Sequence, residues 1–201
     1  MEGFIFNHDL CVNCKACIAA CMIENSWIVK VRNIYAHNDE TLLPEPVINL
    51  SMACNHCEKP LCLLGCPTDA YFRDTDSPAI LIDSQKCIGC RYCLWNCPYD
   101  APKFNIEKGY VEKCHFCFHR LNEGAEPACS LACPTGALSF GEIPDNDSLK
   151  GIKWIPDRKI NPLLQLTGGN LNQTVKIIPD ATIADAAKTG NPRSAKNISK
   201  E

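Results

Sequence analysis

Sixteen cysteines stand in this 201-residue chain, and they fall into four groups of four with none left over. The groups are Cys11, Cys14, Cys17 and Cys21; Cys54, Cys57, Cys62 and Cys66; Cys87, Cys90, Cys93 and Cys97; and Cys114, Cys117, Cys129 and Cys133. The first and third carry the C-x2-C-x2-C-x3-C spacing that holds cubane iron–sulfur clusters. Three thiolates two residues apart on one short loop reach three corners of a cube, and the loop curls so that its N–H groups face the sulfurs. The fourth thiolate, after three intervening residues, points away from that cube and ligates a neighbouring one. Pro67, Pro98 and Pro134 follow the fourth cysteine in three groups and bias the chain toward an extended exit, whereas Met22 holds that place in the first. The implied cargo is four [4Fe-4S] clusters, and the implied chemistry is electron transfer.

Other uses of cysteine fit less well. A disulfide framework belongs to small secreted domains, and cysteines two residues apart suit metal better. Structural zinc takes two ligands from each knuckle, which a run of four overfills. A [3Fe-4S] cluster is expected where a ligand has been replaced, and here all sixteen are present.

The elements that must position these loops read as a repeat. Short apolar runs lead into each group: Gly3 to Phe6, Val47 to Leu50, Ala79 to Ile82 and Gly109 to Val111. After the fourth cysteines come Cys66-Pro67-Thr68-Asp69-Ala70, Cys97-Pro98-Tyr99-Asp100-Ala101 and Cys133-Pro134-Thr135-Gly136-Ala137. The unit is strand, cysteine loop, one helical turn, Cys-Pro and short strand. Two units make a ferredoxin fold, so four predict an α+β chain of two bacterial-ferredoxin-like lobes, each with two [4Fe-4S] sites. Residues 1–46 and 108–145 are read as an outer lobe and residues 47–107 as an inner one. Residues 146–201 are read as an extended C-terminal arm for binding a partner, with Trp154, Ile155, Leu163, Leu164 and Leu166 as its packing residues and a polar end from Lys188. Gly168-Gly169 lacks the strand–helix setting of a phosphate loop and is read as a turn.

Composition sets limits. Aromatic residues are only 7% of the chain, so metal binding is expected to supply much of its folding free energy. The formal net charge is -3. Four oxidised cubes with their thiolates, each carrying about -2, take it to roughly -11. Lys15, Lys59, Lys86, Arg91, Lys103, Lys113 and Arg120 lie beside the cysteine loops and offset part of that charge, or are ordinary solvated surface. There is no basic run suited to a nucleic acid, no apolar stretch long enough to span a membrane, and no room before Cys11 for a signal peptide. Assembly is expected in a reducing cytoplasm. No nucleophile–base arrangement stands free of the cysteine groups, so no catalytic residue is assigned. His56 and His115, inside CxxC steps, are read as neighbours of the clusters or surface residues, and His8, His37 and His119 as surface. Glu24, Asp69 and Asp100 are read as turn and cap residues.

Taken together, Cys11 to Cys21, Cys54-Asn55-His56-Cys57 with Pro60-Leu61-Cys62, Cys87-Ile88-Gly89-Cys90-Arg91-Tyr92-Cys93 with Cys97-Pro98-Tyr99, and Lys113-Cys114-His115-Phe116-Cys117 with Pro127-Ala128-Cys129 carry a resemblance. Over about residues 1–140 the chain resembles the four-cluster electron-transfer (beta) subunit of the dimethyl sulfoxide reductase superfamily, of the type found in dimethyl sulfoxide and polysulfide reductases. The resemblance implies crossed ligation: Cys11, Cys14 and Cys17 with Cys133; Cys114, Cys117 and Cys129 with Cys21; Cys54, Cys57 and Cys62 with Cys97; Cys87, Cys90 and Cys93 with Cys66. It also implies two partners, a molybdopterin catalytic subunit holding molybdenum or tungsten and a membrane anchor subunit that handles quinone or quinol. The chain would then be a non-catalytic oxidoreductase subunit, membrane-associated through its partners, on a face the sequence does not give. A stand-alone polyferredoxin and an electron-transfer subunit of a non-pterin respiratory complex remain alternatives.

Overall fold

The structure is a computed structural model, and it describes residues 2–37, 48–143 and 163–168. β1 (Glu2–Asn7) alternates apolar residues so that Phe4 and Phe6 turn to the same buried face, as a period of two requires. It is followed by a 3-10 turn, His8–Leu10, capped by the Asn7 side chain. α1 (Ala16–Glu24) carries Cys17 and Cys21. β2 (Asn33–His37) and β3 (Ile48–Met52) pair antiparallel, with Tyr35 opposite Leu50. α2 (Leu61–Leu64) precedes the second hairpin, β4 (Tyr71–Arg73) with β5 (Ile80–Ile82). α3 (Tyr92–Asn96) precedes the third, β6 (Lys103–Asn105) with β7 (Tyr110–Glu112). α4 (Phe118–Asn122) and α5 (Ala128–Leu131) lead to β8 (Leu138–Glu142), and β9 (Leu164–Thr167) comes last.

The expected strands ahead of the cysteine loops are present as β1, β3, β5 and β7, and strands follow three of the four groups as β4, β6 and β8. The first group departs from this pattern. In the groups followed by Pro67, Pro98 and Pro134 the helical turns end before the fourth cysteine, at Leu64, Asn96 and Leu131, whereas Met22 keeps its N–H and α1 runs on past Cys21 to Glu24. The next strand does not begin until Asn33.

β1 lies at the centre of a three-stranded sheet, antiparallel to β8 and parallel to β9. The main core forms beneath it. Phe4, Phe116 and Phe140 meet edge to face, with ring centroids 5.2, 5.6 and 5.1 Å apart. Leu50, Tyr99 and Leu138 pack into the same cluster, as do the thiols of Cys17, Cys21, Cys54, Cys114 and Cys129. A smaller cluster gathers Tyr71, Ile80, Cys93, Leu94 and Val111. The first cluster draws on both segments that the sequence divides at residues 46 and 107. The second of those divisions falls in the turn of the β6–β7 hairpin.

The arm departs from expectation where it is described. Leu163, Leu164 and Leu166 are buried in this chain's own main core, because β9 completes the second edge of β1. Leu163 also donates its N–H to the Asn55 carbonyl at 2.7 Å. Trp154, Ile155 and the polar end from Lys188 lie outside the described residues. His8, expected at the surface, is buried where it meets Gly168.

This packing leaves no room at Gly3. A Cβ there would meet the Leu163 carbonyl oxygen and Ile143 Cδ1, each at 2.5 Å. Gly3→Ala is expected to destabilise the iron-loaded protein by about 1–3 kcal/mol. Gly141→Ala, on the facing strand with open space around its Cβ, should change stability far less. Thermal unfolding of the two variants checks this.

Candidate iron–sulfur sites

Each cysteine loop is shaped by the same backbone device. The second residue after the first cysteine is left-handed in all four groups: Asn13 (φ 55°), His56 (φ 43°), Gly89 (φ 68°) and Phe116 (φ 57°). Left-handed residues between right-handed ones turn successive N–H groups to one side, a concavity that binds anions and the sulfurs of iron–sulfur centres. Only Gly89 takes this conformation without strain. His56 and Phe116 stack on each other at a centroid distance of 3.6 Å, and the His56 Nδ1 accepts the Ile80 N–H at 2.8 Å, so packing holds both in place. In the first and third groups Lys15 and Arg91 are left-handed as well and start α1 and α3.

A second device follows the fourth cysteines. Asp69, Asp100 and Gly136, each three residues on, are left-handed turn residues. The turn sends N–H groups back onto the sulfur: Ala70 N donates to Cys66 Sγ and Leu138 N to Cys133 Sγ, both at 3.4 Å. Burial acts to raise the Cys66 thiol, but the N–H groups of Thr68, Ala70 and Tyr71 and the Thr68 hydroxyl outweigh it and hold it below its ordinary value. The same balance holds Cys133 down. Asp100 is pushed up by burial, with Lys103 opposing at 2.5 Å.

Burial dominates at several other thiols. It pushes Cys21 and Cys97 up to about 12 and Cys93 up to about 11. It also raises Cys57, Cys62 and Cys114. Protonated thiols do not ligate, so ionising these groups requires a bound cation to take the place of the protons.

The thiols come together across the sequence groups. The sulfurs acting on Cys11 are Cys17, Cys133 and Cys14. Cys21 is faced by Cys129 and Cys117, and Cys114 by Cys21 and Cys129. Cys54, Cys57, Cys62 and Cys97 line one small cavity, closed by Pro60, Tyr99 and Lys113. Cys93 is faced by Cys87 and Cys90, and Cys66 shares its apolar cluster with Cys87 and Cys93. Further sulfur neighbours link these sets in order: Cys17 to Cys129, Cys114 to Cys54, and Cys62 to Cys93. Sequence reading did not supply that order. The two exposed thiols, Cys14 and Cys90, sit at its ends. A larger surface cavity of about 280 Å³ between Trp27, Phe72, Tyr110 and Phe118 has no thiol in its wall.

The donor set suits the inferred group. Soft thiolates select iron–sulfur clusters, and the loops turn N–H groups on them. Among the described residues, buried polar atoms beside the thiols also lack partners, including Arg32 Nε and Nη2 and the Asn55 side-chain nitrogen. Several neighbours of the thiols escaped sequence reading because they lie far from them in the chain. Tyr71 directs its hydroxyl at Cys93. Asn25 reaches Cys117 Sγ at 3.8 Å. Ser51 Oγ lies 3.6 Å from Cys17 Sγ. Among the charged residues singled out by sequence, Lys113 is buried, whereas Lys86 stays exposed and pairs with Asp83. Glu24 is more than a cap: it joins α1 to α4 by pairing with His119 and Arg120 at 2.9 and 3.0 Å.

Lys113 Nζ donates to the carbonyls of Ile80 and Cys114, and its charge lowers the Cys62 thiol. Lys113→Met strands both carbonyls in the core and should destabilise the iron-loaded protein by about 1–3 kcal/mol. Lys86→Met should stay within about 0.5 kcal/mol of the parent. Paired thermal melts under anaerobic conditions make the comparison.

Comparison with known proteins agrees with this geometry. Residues 47–143 match the 4Fe-4S dicluster domain. The chain is 38% identical over 151 residues to the beta chain of anaerobic dimethyl sulfoxide reductase from Escherichia coli, covering 70% of this chain and 73% of that one. It is 35% identical over 204 residues to the corresponding chain of Haemophilus influenzae, covering 95% and 97%. The beta subunit of tetrathionate reductase from Salmonella typhimurium is 37% identical over 142 residues, covering 69% and 56%. With its cysteine loops, their sulfur-directed N–H groups and near full-length similarity to one of these chains, the protein belongs to the family of [4Fe-4S] electron-transfer subunits that includes the beta chain of anaerobic dimethyl sulfoxide reductase.

Proposed function

We propose that this chain carries four [4Fe-4S] clusters and passes electrons between a molybdopterin catalytic subunit, holding molybdenum or tungsten, and a membrane quinone or quinol subunit. The observation that carries the reading is the linear order of the sulfur sets, with an exposed cysteine at each end. When bound, the clusters supply one-electron oxidation and reduction. The protein's own part is to hold thiolates, direct N–H groups at sulfur and keep water from the middle of the line.

The proposed ligands are Cys11, Cys14, Cys17 and Cys133; Cys21, Cys114, Cys117 and Cys129; Cys54, Cys57, Cys62 and Cys97; and Cys66, Cys87, Cys90 and Cys93. The first two sets define an outer ferredoxin-like lobe and the last two an inner one. Val12 and Ile88, each directly after the first cysteine of its loop, are 65% and 67% exposed beside Cys14 and Cys90. Apolar residues at the two tips suit docking of a partner at each end. Relatives named as subunits of reductases support a catalytic partner. Among the described residues no helix is long and apolar enough to cross a membrane, so the proposed membrane association runs through the anchor subunit. Assembly is proposed in the cytoplasm.

Anaerobic native purification with metal analysis tests the reading. The expected result is about sixteen irons per chain with stoichiometric molybdenum or tungsten. Sixteen irons with neither metal and no large co-purifying subunit would favour a free carrier or a non-pterin complex, and far fewer irons would remove the four-cluster assignment. Cys90→Ser is expected to alter one cluster's spin signal and cut electron delivery while substrate binding by the partner persists. Unchanged signals and full turnover would contradict the proposed ligands.

A further inference from the structure

We propose that Arg32 sets the reduction potential of the outer-lobe clusters, acting directly on the sulfurs of Cys21, Cys114 and Cys129 and through Ser51 on Cys17. The proposal rests on the ligand assignment of the preceding subsection. Arg32 stands in none of the cysteine groups and is 2% exposed. No carboxylate pairs with it among the described residues; the charges acting on it are those of Cys129, Cys114, Cys21 and Cys17. Three of these belong to one proposed cluster and the fourth to its neighbour, so the guanidinium stands between the two sets.

Its orientation is fixed by two contacts. The guanidinium carbon lies 4.3 Å from the centroid of the Phe4 ring. Nη1 donates to Ser51 Oγ at 3.0 Å. That bond occupies the Ser51 oxygen as an acceptor and leaves its hydroxyl proton free for Cys17 Sγ, 3.6 Å away. Among the described residues Nε and Nη2 are buried without a hydrogen-bond partner, on a residue whose other neighbours are thiols. A buried cation with two unspent donors and no counterion but sulfur is built for an anion that the thiols help to hold.

The physical consequence concerns charge. One-electron reduction adds one negative charge against these sulfurs, with no bond made or broken. A permanent positive charge in a low-dielectric surrounding favours that reduced state, and arginine does not lose its proton. Hydrogen bonds to sulfur act in the same direction, and both are levers by which a protein tunes such centres. Among the described residues no arginine stands in this role in the inner lobe, where the buried Lys113 acts on Cys62 and Tyr71, a neutral donor, faces Cys93. Arg32 therefore raises the potential of the outer clusters, and that of the set of Cys21, Cys114, Cys117 and Cys129 most.

The test is a dithionite titration of the full chain, purified anaerobically with its complex and followed by electron paramagnetic resonance. Cys129→Ser and Cys17→Ser identify the signals of the two outer clusters. Arg32→Gln is expected to lower the reduction equilibrium constant of the Cys129 signal by about tenfold or more, ~59 mV for each tenfold of a one-electron couple. Arg32→Lys, which keeps the charge, should recover most of that shift, and Ser51→Ala should move the Cys17 signal alone. Unmoved potentials in Arg32→Gln at unchanged iron content would overturn the proposal. So would an equal shift in Arg32→Lys, which would assign the effect to packing. If Arg32→Gln does not retain iron, Ser51→Ala decides: a shift of the Cys17 signal supports the relay, and none overturns it. A parent chain holding far fewer than about sixteen irons would instead remove the underlying cluster assignment.

Discussion

Negative charge must be held inside a small protein, and the rest of the structure answers to that constraint. Thiols form part of the main core, where burial favours their protonated state and neighbouring thiols disfavour ionisation further. Three features oppose burial. Backbone N–H groups are turned onto sulfur by left-handed residues at equivalent places in the loops. Fixed cations, Arg32 and Lys113, are buried beside particular sulfurs. Metal replaces the protons themselves. The first is a property of the loops and is repeated. The second is not repeated, and it makes one part of the molecule electrostatically unlike another.

The loop geometry carries a cost that packing must offset. A bulky side chain in the left-handed region is strained by on the order of 1–3 kcal/mol, and both His56 and Phe116 are held there. They occupy equivalent positions in the second and fourth groups, yet they stack face to face. Phe116 further joins Phe4 and Phe140 beneath the sheet, and His56 accepts a hydrogen bond from the start of β5. The strain of two loops is thereby offset by one shared contact, which also ties the second group to the fourth. β9 adds to the same joint through the bond from Leu163 to the Asn55 carbonyl.

The sequence was most legible where spacing is the physics. Cysteine intervals and the Cys-Pro steps located the loops, the helical turns and most strands, and Met22 marked the one group whose helix runs on. Legibility failed where long-range pairing decides. Leu163, Leu164 and Leu166 read as an apolar stretch awaiting a partner, because nothing local says that β1 has an open edge of matching register. Nothing in the sequence singles out Arg32, since its neighbours Cys17, Ser51 and Cys129 come from three other parts of the chain. Lys113 and Lys86 both flank cysteines, and only the fold distinguishes the buried one from the exposed one.

The order of the sulfur sets follows from how the chain changes direction. It crosses through the β2–β3 hairpin toward the second group and returns through β6–β7 toward the fourth, so the middle two groups form an insertion between the outer two. Two sets then meet at the joint, where Cys114 faces Cys54 and where Lys113, His56 and Phe116 are all buried. The other two come last in the order at either end and carry the exposed thiols Cys14 and Cys90. A charge passing through the joint gains from the buried Lys113. At the extremes the loops must stay open, because an electron can enter or leave only where another protein can approach. Exposed Val12 and Ile88 beside Cys14 and Cys90 would be a liability on a free surface, and covering them is what contact with a partner at each end would accomplish.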